Sequence, residues 1–341
     1  MKNLLRIRIY CGAAAAGLVI CAAQAQSPPA QIALCKQVNG ETSLAACTAI
    51  IQGGRSQGAE LSSVYFARGM VHDSLKQYDL AVKDYQLSFV ASHENQEAPY
   101  NRTVACNYLV LRLNTAPAND AEAYEICGGA YNDASQYARA LQVLDQAIKL
   151  KPDFARAYQD RGVSYLNTDQ KDRALQEFDQ AIKLAPASEP AILGDVLRLR
   201  GQLRAAMSQY ALAVQDFDQL KKLRTDNPDI LNEGCWTRAI WGQELDKALT
   251  DCNASLRLRP NSASTLDSRG LVNFRLGKYS QAVADYDAAI TLNGSYAGSH
   301  YVRGLAKLKM GDKTGGDQDV SRAKEMSNKV VSQYDAYGVR P

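Results

Sequence analysis

The chain has 341 residues, of which 46% are hydrophobic and 22% charged, with 10 prolines and 23 glycines. This composition is typical of a globular protein and excludes a disordered tail, a collagen and a polytopic membrane protein. The 39 basic residues fall to 36 when Lys2, Arg6 and Arg8 are set aside, and 36 residues are acidic. Without these three residues the chain has no net charge. It therefore lacks the excess of basic residues that binding to nucleic acid or an anionic membrane requires, and neither is expected as a partner.

The first 25 residues have the three-part pattern of a secretory signal peptide. Met1–Tyr10 carries three positive charges, and Cys11–Ala23 is an uncharged, mostly apolar stretch. That stretch is shorter than the ~20 residues that a spanning helix needs. Small side chains then predict cleavage between Ala25 and Gln26. We therefore expect a periplasmic or secreted protein with no transmembrane segment after cleavage.

Two other interpretations of this segment are open. It could stay uncleaved and serve as an anchor. A lipoprotein signal would use Cys21, but Ile20 stands before it, where signal peptidases of that kind require Gly, Ala or Ser. No second apolar stretch of spanning length occurs in 26–341.

The rest of the chain repeats itself every 34 residues. The stretches 62–95, 155–188 and 263–296 align on an Arg-Gly pair, with glycine at position 8, alanine at position 20 and an aromatic residue at position 24. The same frame fits four further stretches, namely 121–154, 194–227, 229–262 and 297–330. Across all seven units, position 8 is glycine except in 229–262, and position 20 is alanine except in 297–330.

Each unit contains two amphipathic segments of about 13 residues, separated near positions 15 and 16 by Asp, Gly, Lys or Asn. Such short helices are marginal alone and must bury one face against a neighbour. Glycine at position 8 and alanine at position 20 allow the two helices to approach to ~8–9 Å. Aromatic residues at positions 4, 11, 17 and 24 then fill the seam between them.

A 34-residue helix–turn–helix unit with this pattern resembles the tetratricopeptide repeat (TPR). The resemblance implies an all-α fold, a right-handed α-α superhelix (solenoid) of about seven TPR units. The unit 229–262 departs from the pattern with Trp236 at position 8, so we expect an altered helix crossing there. The unit 297–330 is degenerate, as a terminal repeat would be.

Four segments after the signal peptide at 1–25 lie outside the repeats. We expect an N-terminal helical cap with Cys35 and Cys47 at 26–61, an extra helix and loop at 96–120 with the helix near Tyr100–Leu113, and a C-terminal tail at 331–341. Residues 189–193 are a short insertion.

A charge rule links two positions within the units. Wherever position 7 is arginine, position 23 is an acid, which predicts that these positions touch and form an ion pair within each repeat. A row of ligand-binding arginines is the functional alternative. The five pairs are Arg68 with Asp84, Arg161 with Glu177, Arg200 with Asp216, Arg269 with Asp285, and Arg303 with Asp319.

Six cysteines follow the signal peptide, and an even number in an exported protein permits disulfides. Six cysteines allow fifteen pairings, but the repeat frame favours sequential ones. Cys235 and Cys252 stand at positions 7 and 24 of one unit, so they are the best-supported pair. Cys35 pairs with Cys47 across the Asn39-Gly40 turn signal, and Cys106 pairs with Cys127 by exclusion. No Cys-x-x-Cys motif occurs, which argues against a redox site or a zinc knuckle.

No catalytic or phosphate-binding motif occurs in the chain, and the three histidines have no metal-ligand spacing. The paired acids Asp216/Asp218 and Asp285/Asp287 are each interpreted as one ion pair plus one solvated acid. We therefore expect no enzymatic activity, no cofactor and no metal.

The resemblance also implies where a partner binds. In the family, the concave face is lined mainly by positions 2, 5, 9, 12 and 13 of the first helix. Some members clamp a peptide's C-terminal carboxylate there with Asn and Lys; this chain lacks that set, so we expect a groove that binds helices or extended protein segments. The best candidates in this chain are Arg156, Gln159, Asn167, Arg198, Gln202, Asp267, Arg275 and Tyr301, with Glu122, Glu125, Asp133, Asp195 and Ser264 beside them.

These features lead to one principal hypothesis, an exported, non-enzymatic TPR scaffold that mediates protein–protein interactions in the bacterial cell envelope. The alternative is a peptidoglycan-binding protein or a regulatory subunit of a cell-wall enzyme. A hydrolase with an unrecognised site in 26–61 or 96–120 is disfavoured, because these segments are too short for an independent catalytic domain.

Overall fold

The computed structural model describes residues 28–93, 106–108, 110–111, 120–185, 189–224 and 226–341. The predicted signal peptide and most of segment 96–120 lie outside these ranges. All regular structure in the described ranges is helical, which confirms the predicted all-α class. The chain divides into two compact units, unit 1 ending at Leu184 and unit 2 beginning at Ala185.

The described part of unit 1 contains two leading helices followed by three antiparallel helix pairs. Residues 106–108 and 110–111 are also helical. The first helix of each pair is called helix A and the second helix B. The elements are α1 (Pro28–Cys35), α2 (Gly40–Gly53), α3 (Gly58–Ser74), α4 (Tyr78–His93), α5 (Ala121–Asp133), α6 (Tyr137–Leu150), α7 (Ala155–Asn167) and α8 (Lys171–Leu184).

Unit 2 consists of four helix pairs and a short final helix. The A helices α11, α13 and α15 contact one another in sequence. The elements are α9 (Pro190–Ala206), α10 (Tyr210–Leu223), α11 (Pro228–Trp241), α12 (Leu245–Leu258), α13 (Ala263–Arg275), α14 (Tyr279–Leu292), α15 (Ala297–Lys309), α16 (Lys313–Met326) and α17 (Val330–Ala336). None of the helices in the described ranges is long and apolar enough to cross a bilayer.

The final helix α17 was not expected from the sequence, which predicts only a tail after residue 330. This segment packs against α15, and both Val330 and Tyr334 are buried. The seven-residue helix is too short to show a helical period, and its burial depends on side chains far away in the sequence. The chain after 330 is therefore part of the core of unit 2.

The two helices of each repeat meet where position 8 faces position 24. A methyl group built on Gly162 would lie 2.6 Å from the ring of Phe178, and one built on Gly270 would lie 2.8 Å from the ring of Tyr286. Both rings are fully buried. In these repeats the glycine is needed because a ring from helix B occupies the space that a side chain on helix A would need, and at Gly128 the side chain of Leu144 occupies the same space.

The turn between the two helices has a recurrent backbone conformation at position 15. Lys76, Ser135, Asp169 and Ser208 have φ between 57° and 59° there, and Gly277 has φ 71°. This left-handed conformation ends helix A and reverses the chain within three residues. Four of these residues are not glycine, although glycine alone adopts this conformation without steric cost.

The predicted ion pairs between positions 7 and 23 are confirmed. Arg68 donates from Nε and Nη2 to the two carboxylate oxygens of Asp84 at 2.7 and 2.6 Å. Arg161 makes the same fork with Glu177. The three pairs in unit 2 have equivalent contacts, with Arg200 on Asp216, Arg269 on Asp285 and Arg303 on Asp319. These arginines therefore stabilise the repeats and are not a free row of ligand-binding groups.

The same arginines also reach the preceding repeat. Arg161 Nη1 donates to Asp145 at 2.8 Å, and Arg303 Nη1 donates to Asp287 at 2.7 Å. Asp145 and Asp287 both stand at position 25 of their repeats, two residues after position 23. The interpretation of Asp287 as simply solvated was thus wrong, because an exposed carboxylate can still accept from a guanidinium that belongs to the next repeat.

The repeat 229–262 replaces this arrangement with a different one. Cys235 and Cys252 form a disulfide between α11 and α12. The guanidinium comes instead from Arg238, whose side chain is only 1% exposed. It donates to Asp251 in its own repeat at 3.2 Å and to both oxygens of Asp218 in the preceding repeat. Asp218 was therefore also wrongly interpreted as a solvated acid.

All three expected disulfides are present. Cys35 and Cys47 join α1 to α2, and Cys106 joins the helical residues 106–108 to Cys127 on α5. All six cysteines are nearly inaccessible to solvent. The bridges therefore lie inside the core, where they link helices that are close in sequence.

The packing at position 8 predicts a specific cost for one methyl group. Gly162→Ala should lower the free energy of unfolding by about 1–3 kcal/mol, because the buried ring of Phe178 has no room to move. Gly53→Ala is the matched control, since no atom lies within 4 Å of a methyl group at that helical position. Alanine is the better helix former, so the control should be neutral or slightly stabilising. Urea denaturation measures both; equal stability of the two variants would contradict this packing.

The buried guanidinium of Arg238 predicts a larger effect. Arg238→Met should lower the free energy of unfolding by roughly 3–5 kcal/mol, because it breaks the buried pair between Arg238 and Asp251. Lys221, whose Nζ lies 2.8 Å from Asp251, then remains as a cationic partner of this carboxylate. Arg322→Met is the control, since Arg322 forms an exposed pair with Glu325 at 3.2 Å and such pairs contribute at most about 1 kcal/mol. If Arg238→Met lowers the free energy of unfolding by less than about 1 kcal/mol, the ion pairs of Arg238 do not stabilise the fold.

Candidate functional site

The predicted groove residues of unit 1 lie on the A helices α5 and α7. Arg156 and Asn167 are exposed, and Gln159 is partly exposed on the same helix. On α5, Glu122 and Asp133 are at least partly exposed. These five side chains are accessible to a partner within unit 1.

Glu125 on α5 differs from its neighbours because it is only 7% exposed. Its carboxyl group shares a hydrogen bond with Asp160 on α7. Burial raises the pKa of Glu125 to about 7, although the charge of Arg156 acts to lower it. Burial also raises the pKa of Asp160 well above its ordinary value, and the negative charge of Glu125 raises it further. The pair retains a proton into the neutral range and links two successive A helices.

In unit 2, two predicted residues converge on an acid that the sequence analysis did not select. Arg198 Nε and Gln202 Nε2, both on α9, donate to the same oxygen of Glu233 on α11 at 2.9 and 2.6 Å. Glu233 stands at position 5, so the same frame would have found it had it been applied to the repeat 229–262. Asp195 accepts a hydrogen bond from Arg224 at 3.1 Å.

Two other predicted residues are engaged within unit 2, and of these Tyr301 is buried and Arg275 is partly exposed. Tyr301 is 1% exposed and packs against Tyr334 of α17, with ring centroids 5.6 Å apart. Arg275 donates to the carbonyl oxygen of Ile240 at 3.2 Å and to that of Tyr337. The prediction that Tyr301 lines an open groove was wrong, because α17 and the residues after it cover this part of the A-helix face.

Beside this contact, unit 2 contains a cavity of about 410 Å³. It lies between α11, α13, the start of α15 and α17. Asp267 and Ser264 of the predicted set line it, together with residues that the frame missed. The complete lining is Asn232, Trp236, Ser264, Asp267, Ser268, Ser295, Tyr296, Ala297, Gly298, Ser327, Val330, Gln333 and Tyr334.

Asp267 is the acidic group of this cavity. Its carboxylate accepts a hydrogen bond from the hydroxyl group of Ser299 on α15. Burial raises the pKa of Asp267 to about 6, because the ionised form has lost much of its hydration. A methyl group on Gly298 would overlap the side chain of Tyr334, so a side chain at this position would displace the ring from the cavity wall.

A second cavity, of about 750 Å³, lies in unit 1 between α1, α2 and the start of α3. Small or apolar residues make up much of its lining, among them Leu44, Ala45 and Ile50. None of the predicted groove residues takes part in it. The cavity of unit 2 is therefore the better candidate for a specific site.

The described residues also limit what chemistry is available. Within these ranges, no group of three or more His, Cys, Asp or Glu side chains is placed to hold a metal ion. His72 is buried, and its Nδ1 lies 2.7 Å from Gln77 Oε1. This histidine therefore has a structural role within the helix pair. The candidate site offers hydrogen-bond acceptors, aromatic rings and one carboxylate, which is suited to binding.

Comparison with known proteins identifies the repeats. The TPR repeat family matches residues 128–169 and 270–311, and the tetratricopeptide repeat family matches 62–89 and 155–188. These four segments match tetratricopeptide repeats. Matching segments lie in both units, and those at 128–169 and 270–311 each begin at a position-8 glycine, where we find the close helix contact.

Solved structures of TPR proteins resemble this chain. YrrB, a TPR protein with an unusual peptide-binding site, is 20% identical; the match covers 58% of this chain and 97% of YrrB, with a TM-score of 0.50. A tetratricopeptide repeat protein from Parabacteroides merdae is 16% identical over 82% of this chain and 99% of its own, with a TM-score of 0.47. MamA from Desulfovibrio magneticus is 18% identical over 51% and 96%, with a TM-score of 0.45. No curated protein sequence matches the chain.

The carboxyl pair of unit 1 predicts a pH dependence of stability. Between the ordinary Glu pKa of 4.5 and the folded value of about 7, the unfolded chain has released a proton that the folded TPR repeats retain. The free energy of unfolding of unit 1 should therefore fall as pH rises through this window. Glu125→Gln should flatten that dependence, whereas Asp153→Asn, at an exposed acid, should leave it unchanged. Thermal unfolding between pH 4.5 and pH 7.5 measures this dependence. If the stability of Glu125→Gln falls with pH as steeply as that of the parent, the raised pKa of Glu125 is contradicted.

Proposed function

We propose that the chain is an exported scaffold that binds a protein or peptide partner on the A-helix face of its TPR repeats and catalyses no reaction. The observation that carries this proposal is the 410 Å³ cavity of unit 2, which is lined by three successive A helices and contains a carboxylate hydrogen-bonded to a serine. Its volume lies within the range of about 300–1,000 Å³ that ligand pockets occupy. YrrB, which shares the TPR fold, has a peptide-binding site, and this supports a peptide as the ligand.

Export from the cytoplasm is part of the same proposal. The leading 25 residues have the pattern of a cleaved signal peptide, and three buried disulfides are typical of proteins that fold in an oxidising compartment. Both features support a bacterial periplasm or the cell exterior. A protein that is neutral after cleavage and has a preformed binding face is suited to assembling other proteins there, because its own side requires little ordering on binding.

The binding proposal is tested by capture of partners from the envelope fraction of the native host. The disulfide-bonded chain starting at Gln26 is immobilised, and captured proteins are identified by mass spectrometry. Arg156→Ala with Gln159→Ala tests unit 1, and Arg198→Ala with Gln202→Ala tests unit 2. We expect the partner to be lost from at least one double variant and from the combined quadruple variant.

The control for this experiment carries Arg173→Ala and Arg322→Ala, two exposed B-helix positions, and should bind as the parent does. Unchanged capture by the quadruple variant, with intact helicity, would reject the A-helix face. Sedimentation with purified peptidoglycan in the absence of any protein partner would instead favour a glycan-binding role.

Export and signal cleavage are tested on the protein purified from its host. N-terminal sequencing should begin at Gln26, and the intact mass should be six hydrogens below that of the reduced form. A protein that begins at Met1, or that labels stoichiometrically with a thiol reagent under native conditions, would contradict export and the three disulfides.

A further inference from the structure

The cavity of unit 2 has one charged residue in its lining, and that residue is Asp267. Because a TPR scaffold offers its A-helix face to a peptide, the nature of this cavity limits which residue of the peptide can enter it. We infer that the cavity binds the primary ammonium group of a lysine side chain from the partner. This inference rests on the proposed function and specifies the chemistry of its ligand.

Asp267, which is half-buried at the cavity wall, differs from the buried aspartates of unit 2. Asp216, Asp251, Asp285 and Asp319 each accept hydrogen bonds from an arginine of this chain. Asp267 accepts from the neutral hydroxyl group of Ser299, and no lysine or arginine of the described ranges forms a salt bridge with it. A carboxylate that has lost hydration without gaining a cation costs free energy. A ligand cation would supply the missing charge.

The rest of the lining favours a cation as well. The side-chain oxygen of Asn232 is buried and has no hydrogen-bond partner among the described residues. The rings of Trp236, Tyr296 and Tyr334 line the same cavity, and aromatic faces attract cations within about 6 Å. An ammonium group has three donors and no acceptor, so it can satisfy both Asp267 and Asn232.

The geometry favours lysine over arginine. One oxygen of Asp267 already accepts from Ser299, so the two-oxygen fork that a guanidinium prefers would compete with this bond. An ammonium group is a compact charge that needs only the remaining oxygen. Its four-carbon stem can lie against the aromatic rings while the charged end reaches the carboxylate.

Binding should also depend on pH, because only the ionised carboxylate attracts the ligand. The titratable groups that face Asp267 are the phenols of Tyr286 on α14 and Tyr334 on α17, and burial raises the pKa of both well above 10. The facing residues from α11 and α15, Asn232, Trp236 and Ser299, do not titrate in the neutral range, and no residue of α12 lines the cavity. Affinity should therefore fall below pH 6.

The probe is Nα-acetyl-L-lysine amide, and Nα-acetyl-L-norleucine amide is its uncharged counterpart with a similar aliphatic chain. The chain has two tryptophans, Trp236 and Trp241. In a Trp241→Phe background, the fluorescence of Trp236 reports on the cavity alone. Titrations at pH 7.5 and pH 5 use the disulfide-bonded chain that begins at Gln26.

We expect the lysine probe to saturate at pH 7.5, with at least tenfold weaker binding at pH 5. The norleucine probe should bind at least tenfold more weakly than the lysine probe. Asp267→Asn should weaken the lysine probe at least tenfold at pH 7.5, whereas Asp246→Asn, at an exposed acid outside the cavity, should not. Since Asp267→Asn removes a desolvated charge, its melting temperature should equal or exceed that of the parent.

Three results would overturn the inference: no saturable signal with the lysine probe, equal binding of the norleucine probe, or unchanged binding in Asp267→Asn. The first two use the parent cavity and do not depend on how the variant folds. If Asp267→Asn retains a captured partner that the Arg198→Ala, Gln202→Ala variant loses, the scaffold function stands and the lysine site is wrong. If the lysine probe binds as expected but no partner is captured, the lysine site is supported and the scaffold function is contradicted.

Discussion

The close approach of two helices within each repeat is the contact on which the rest of this structure depends. It requires a residue without a side chain on helix A, as at Gly162, and a ring or branched side chain opposite it on helix B, as at Phe178. Because each helix is only three to four turns long, neither would persist without this contact. The spacing between the two helices then brings position 7 within reach of position 23, and the arginine forks follow from it.

The forks connect the repeats as well as the helices within each repeat. Arg161 and Arg303 each bind an acid of their own repeat and an acid of the preceding repeat. Arg238 makes the same two connections from a different position, because a disulfide occupies the usual one. The B-helix side is therefore fixed by ion pairs, and the polar A-helix face is where we propose that a partner binds. Asp267 on that face is half-buried and accepts from a serine hydroxyl group, where the fork acids accept from an arginine.

The repeat contacts could be predicted from the sequence because they recur. Seven copies of one frame reveal glycine at position 8, the acid at position 23 and the pairing of Cys235 with Cys252. Features that occur once left no comparable signal. Helix α17 has seven residues and no partner repeat, so the burial of Tyr301 beneath it could not be foreseen. The cavity around Asp267 depends on that helix and on Trp236, the one departure from glycine at position 8, so its lining was mostly missed.

A double-mutant cycle between Gly201 and Phe217 tests the central contact most directly, since a methyl group on Gly201 would lie 3.0 Å from the Phe217 ring. Gly201→Ala should destabilise unit 2 when Phe217 is present and should cost nothing when Phe217 is replaced by alanine. We expect a coupling free energy of about 1–3 kcal/mol by urea denaturation. Additive effects of the two substitutions would contradict the claim that position 8 is glycine because a helix B side chain fills its space.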